Sequence, residues 1–126
     1  MDVKDFIAAE VEKPFRWGET DCVSTAVRWV QIHSRVDLMP AIGTYSTAEE
    51  AERAMSHLGG LAVAVNRVMR RAGFQKTAAP QPGDVGLVVH GGKLCVAVCA
   101  GDFWFSHDEA GVIGAPLDAV WKAWSI

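Results

Sequence analysis

The feature that most constrains the fold is a change of hydrophobic period near Pro80 and Pro82. Before these prolines, apolar residues recur three and four positions apart; after them they alternate or form short runs. Val3, Phe6, Ile7 and Val11 predict a short opening helix that Pro14 ends. Thr20 reads as the N-cap of a second helix running to about Ser34. Cys22, Ala26, Val30 and His33 lie along one side of it, with Val23 and Val27 beside them. Residues 37–45 read as a connector. A third helix starts at Ser46 or Thr47, since both Ser46…Glu49 and Thr47…Glu50 fit a capping box. Gly59-Gly60 stops it, and a fourth helix carries Leu61, Val65, Val68, Met69 and Ala72 inward. Residues 84–89, 94–99 and 103–107 read as antiparallel strands, and 111–113 as a further short one. Residues 117–123 read as a helical turn, and 124–126 as a segment closing the sheet. Helices first and strands second give an α+β class.

At 126 residues the chain fits one domain spanning 1–126. Half the residues are hydrophobic, with five Trp and five Phe, which excludes a disordered chain. A net charge of −3 without a Lys/Arg run argues against nucleic acid as a partner. Three cysteines cannot all pair with one another, so reduced thiols are expected. The N-terminus lacks a basic start and a long apolar run, so synthesis in the cytoplasm without a signal peptide is expected. No stretch has the length and apolarity of a membrane span, and no membrane insertion is expected. No cofactor is implied.

Cys22 is the strongest candidate for chemistry. It follows Pro14-Phe15-Arg16-Trp17-Gly18-Glu19-Thr20-Asp21 and sits just inside a helix start. Unpaired N–H groups there favour a thiolate, so a lowered pKa and a better nucleophile are expected. The plain alternative is a small buried residue on a core-facing helix.

These residues resemble the NlpC-like, papain-like cell-wall cysteine peptidases. The resemblance rests on Pro14-Phe15-Arg16-Trp17-Gly18, Asp21-Cys22, Pro82-Gly83-Asp84-Val85 and the run from Val96 to Gly101. It implies a papain-like fold with N-terminal helices packed on a C-terminal antiparallel sheet. It also implies Cys22 as nucleophile, and Trp17, Gly18 and Asp21 as residues shaping a substrate cleft. The family's base histidine corresponds to Cys95, and its orienting residue, twelve positions on, to His107. The base is thus replaced and the orienter kept, which suggests a degraded site. If residues 100–102 form a three-residue hairpin loop, Cys95 and His107 share one face of the sheet. A two-residue loop would separate them. On the first register, Cys95→His would rebuild a Cys/His/His set.

The match is closer to a small NlpC-like branch encoded among bacteriophage tail genes. Gly59-Gly60-Leu61 and the Ala123-Trp124-Ser125-Ile126 ending carry that likeness. It implies a tail-tip or tail-assembly protein of the virion, made in the host cytoplasm, with other tail proteins as partners. An active endopeptidase cutting peptidoglycan stem peptides is the alternative.

The remaining residues admit more than one reading. Cys95 and Cys99 read as buried small residues on one strand face. A Cys22–Cys95 disulfide needs close Cα atoms. A metal site from Cys22, Cys95 and His107 has no ligand spacing in its favour, and no metal is expected. His107 serves as orienter or base, or is only a polar strand end. Trp17 lines a cleft or plugs the core. His33 and His57 suit helix C-termini. His90 reads as solvated in a Gly-rich turn, Arg70-Arg71 as a solvated helix face, and Trp121 and Trp124 as a partner patch or as packing on the sheet.

Overall fold

The computed structural model describes residues 1–126. Five helices come first: α1 (Val3–Glu10), α2 (Cys22–Ser34), α3 (Met39–Ile42), α4 (Ala48–His57) and α5 (Leu61–Arg71). Five strands follow: β1 (Val85–His90), β2 (Lys93–Cys99), β3 (Trp104–Asp108), β4 (Gly111–Ala115) and β5 (Val120–Trp124). They form one antiparallel sheet in the order β4-β3-β2-β1-β5. The α+β class expected from the hydrophobic periods is therefore present. No helix is long and apolar enough to cross a membrane.

Local differences from the sequence reading have clear causes. Asp21, not Thr20, caps α2: its carboxylate accepts from the Ser24 N–H. The Thr20 hydroxyl is occupied upstream, accepting from Arg16 N–H at 2.7 Å and donating to the Pro14 carbonyl at 2.9 Å. The connector at 37–45 holds the one-turn helix α3. Thr47 is the cap of α4, and the Glu50 side chain reaches back to Ser46 N–H. Of residues 117–123, only Leu117–Ala119 are helical, as a 3-10 turn. Residues 120–123 join β5, because pairing with β1 satisfies their backbone and buries Ala123 and Trp124.

The main core lies between α2 and one face of the sheet. Val23, Ala26, Val27, Trp29 and Val30 pack on Val85, Leu87, Val96, Val98 and Trp124. The buried Trp29 indole donates to the Gly83 carbonyl at 2.7 Å, tying the helix to the start of β1. Beside this core a partly open apolar pocket of about 30 Å³ is lined only by hydrophobic side chains.

The other sheet face has its own small core of Val88, Ala97, Cys99, Trp104, Ile113, Ala115 and Ala123. Chain connectivity explains it. β4 and β5 are opposite edges, yet only residues 116–119 join them. Such a link with a 3-10 turn spans about 13 Å. A flat five-stranded sheet would need about 19 Å. The sheet therefore curls, and Trp104 fills the concave side. Its six-membered ring lies where a Cβ on Gly86 would be, at 2.8 Å, so this strand position requires glycine.

Candidate functional site

The loop before α2 is held by one buried carboxylate. Asp21 accepts from Gly18 N–H at 2.6 Å, Ser24 N–H at 3.1 Å, the Ser24 hydroxyl at 2.9 Å and the Tyr45 hydroxyl at 2.7 Å. A buried charge is tolerable when its lone pairs are filled this way. Burial, with the Asp21 charge beside it, pushes the Tyr45 phenol well above its ordinary range, so Tyr45 stays a donor. Gly18 has φ +82°, and a Cβ there would collide with the Tyr45 carbonyl at 1.9 Å. Asp21 and Gly18, expected to shape a substrate cleft, are thus engaged in internal packing. Their work is to set the start of α2 and so the place of Cys22.

Cys22 is the first residue of α2, as expected, and is half-buried. Contrary to the expected lowering, desolvation pushes its pKa from 9.0 up to about 12. Backbone amides of Val96 and Val23 favour the thiolate, while the nearby Cys95 and Asp21 oppose it. Desolvation outweighs the helix terminus because it acts on the whole charge, and the terminus supplies only about half a charge, spread over several N–H groups.

The Val96 amide is free to meet the sulfur because the β2–β3 ladder opens. Ala100 N–H donates to the Phe103 carbonyl, and the next pairs are Cys99↔Trp104 and Val98↔Phe105. The pairing then stops, although both strands continue along their other neighbours. In step, the next hydrogen-bonded pair would be Val96 with His107. Instead the Val96 carbonyl accepts from the Ser106 hydroxyl at 2.7 Å. The Cys22 sulfur and the Ser106 hydroxyl therefore take up the ladder groups of Val96.

This register corrects the placement of Cys95. The hairpin loop has four residues, Ala100 to Phe103, rather than three. Cys95 pairs with Val88 and packs on the concave core with Ser106, away from α2. His107 alternates with Ser106 and lies on the helix-facing side, its ring edge-on to Phe15 at 5.7 Å. The two residues do not share a face, and Cys95→His would place its imidazole on the far side of the sheet from α2. His107 is buried, and its Nδ1 has no hydrogen-bond partner. Trp17 is half-buried and meets Phe15 edge-on at 5.1 Å, so an aromatic chain Trp17-Phe15-His107 borders the site. All three cysteines are free thiols, with no Cys22–Cys95 bridge. No cluster of three His, Cys, Asp or Glu side chains suited to a metal ion forms, so Cys22, Cys95 and His107 do not converge as ligands. Burial raises the Cys95 and Cys99 thiols as well.

A family model described as "Domain of unknown function (DUF6950)" matches residues 1–126. The chain belongs to the DUF6950 family. No curated protein matches the sequence.

Several residues that build this DUF6950 site escape a sequence reading. Tyr45 sits in a connector and reaches Asp21 from 24 positions away. Ser106 looks like an ordinary strand serine, yet it bridges the opened ladder. Glu10, nearly inaccessible at 1 %, takes a bidentate pair from Arg28, whose third nitrogen holds the Glu19 carbonyl at 2.7 Å. That pairing anchors α1 and the loop to α2. The only sequence signal was a glutamate on the apolar side of α1 and an arginine in α2. Other expected residues sit plainly: His33 and His57 are in last helical turns, His33 stacked on Trp29, while His90, Arg70 and Arg71 are exposed. Trp124 is core and Trp121 is surface.

Proposed function

We propose that the protein is a bacteriophage or prophage tail-tip or tail-assembly component built on a papain-like, NlpC-like domain whose cysteine site is silent. The observation that carries this reading is that no base reaches Cys22: Cys95 packs on the other sheet face and the His107 Nδ1 has no hydrogen-bond partner. Burial also pushes the Cys22 thiol up to about 12, which opposes a nucleophilic role at neutral pH. Cys95, at the family's base position, faces the concave core instead. The helix-first order, the Asp21-Cys22 helix start and the antiparallel sheet support the papain-like assignment. On this reading the domain serves to bind neighbouring tail proteins.

Iodoacetamide labelling against pH, resolved by peptide mapping, tests the silent site with Cys95 and Cys99 as internal comparisons. The expected result is slow labelling of Cys22 with a midpoint above pH 9. A midpoint well below about 8.5 would mean an activated thiolate and overturn it. Mass spectrometry of purified particles and of tail-assembly intermediates tests the location; absence from both removes the tail reading.

One observation favours a second reading. The buried His107 Nδ1 has no partner and lies on the helix-facing side of the sheet. In an active murein endopeptidase, Cys22 would attack a stem-peptide carbonyl with His107 taking the thiol proton. Murein digestion by wild type and by Cys22→Ala decides it: equal release removes the peptidase. Cys95→His is expected to add no activity, because position 95 faces the wrong way.

A further inference from the structure

We propose that the outer edge of β5 is a docking site for an extended, acidic peptide segment of a partner protein. Three independent observations meet there. The first is a β-bulge. Leu87 pairs with Lys122 and Val88 with Val120, so Trp121 is the extra residue. A bulge re-aims its side chain and bends the strand. Here it turns a tryptophan outward, 54 % exposed, whereas Trp29, Trp104 and Trp124 are almost fully buried. Large aromatics on a surface are the usual anchors of protein contacts.

The second observation is an interrupted sixth strand. Residues 75–77 pair with the C-terminal end of β5: Ser125 N–H donates to Gln75, Lys76 bridges Trp124, and Thr77 N–H donates to Ala123. The chain then leaves toward Pro80, and β5 has no outer partner from Val120 to Lys122. An incoming strand would continue the line that residues 75–77 begin, its backbone meeting free edge groups.

The third observation is charge. The notch at this edge is lined by Lys76, Thr77, Ala78, Trp121, Lys122 and Ala123, two cations and no carboxylate. Neither lysine forms an ion pair; the salt bridges of the chain are both to Glu10. The Lys122 ammonium lies over the Trp121 ring at 4.5 Å, so cation and aromatic surface are presented together. On a chain of net charge −3 this notch carries cations only, Asp118 lying outside it in the 3-10 turn before β5. An acidic segment is therefore its complement, supplying carboxylates to Lys76 and Lys122 and apolar cover for Trp121. The site involves none of the residues around Cys22, and stands whether or not the cysteine is silent.

The test selects a random library of eight-residue peptides on the full-length protein, then titrates enriched peptides into the ¹⁵N-labelled protein. Enriched peptides should carry Asp or Glu and move amides of residues 76–78 and 120–123 saturably. Trp121→Ala should weaken them tenfold or more. The double variant Lys76→Glu, Lys122→Glu should do likewise at low salt, with the loss shrinking as salt rises. Both variants change surface side chains, and the amide spectrum of each reports its fold. No enrichment, enrichment of neutral or basic peptides, or shifts elsewhere would overturn the proposal. So would a concentration-dependent dimer of the protein alone that Trp121→Ala dissociates, since the occupant would then be a second copy.

Discussion

Asp21, next to Cys22, and His107, on the helix-facing side of β3, are two polar centres built in opposite ways. Around Asp21, four donors converge on one carboxylate and every lone pair has a use. Around His107, the strand ladder is open, the imidazole Nδ1 has no partner, and the nearby thiol is held neutral by burial. Thr25, one turn along α2, adds a second buried polar atom without a partner, its hydroxyl. The first centre fixes where the cysteine sits. The second lies on the helix-facing side of the sheet and makes no side-chain hydrogen bond to the cysteine. The residues that set the place of Cys22 are thus fully bonded, while His107 is not. The energetic reason is that the two tasks are separable: capping and loop closure stabilise the fold, whereas a Cys–His pair contributes chiefly to reactivity.

Substitutions can break or sharpen this contrast. Asp21→Ala should have the largest effect, since it strands Gly18 N–H, the Tyr45 hydroxyl and the Ser24 hydroxyl together. A loss of about 3 kcal/mol or more is expected in urea unfolding. A loss below about 1 kcal/mol would mean the network is ornamental. Tyr45→Phe and Ser106→Ala each remove one hydroxyl and should cost about 1–2 kcal/mol. Ser106→Ala also frees the Val96 carbonyl, and faster amide exchange in β2 should accompany it.

Alkaline pH gives the next effect. Cys22 has a folded pKa raised from 9.0 to about 12, so above pH 9 the unfolded chain loses this proton while the folded chain keeps it. Stability therefore falls as pH rises from about 9 to about 12. Cys95, Cys99 and Tyr45, all shifted upward, add to the same slope. Cys22→Ala should flatten the fall of Tm between pH 8.5 and 10.5; an unchanged slope would mean that the thiol ionises freely in the fold. His107→Phe should have the smallest effect, within about 1 kcal/mol of wild type, because the lost Nδ1 had no bond to lose. A loss of several kcal/mol would show that the imidazole is held by a partner, and would bring the two centres into line.

Much of the architecture was legible before any contact was known. The Thr47…Glu50 box, the Gly59-Gly60 stop and the change of period after Pro82 are local signals, and each marks an element that forms. The helical start at Cys22 was legible for the same reason: a capping side chain acts within three residues. The boundary errors were local too, with Asp21 outcompeting Thr20 because the threonine hydroxyl is already bonded to residues 14 and 16. Residues 120–123 carry no local mark of a strand, because their strand state depends on β1, more than thirty positions earlier.

By itself the sequence determined the α+β order, the position of Cys22 at a helix start and the pairing of helices with a C-terminal sheet. Only the tertiary structure decided which face Cys95 occupies and in which direction the Cys22 pKa moves. The first depends on one residue of loop length, since a strand alternates faces at every step and a four-residue turn reverses the outcome of a three-residue one. The second depends on how far the packed fold desolvates the sulfur, a charge penalty that exceeds what the local helix terminus supplies.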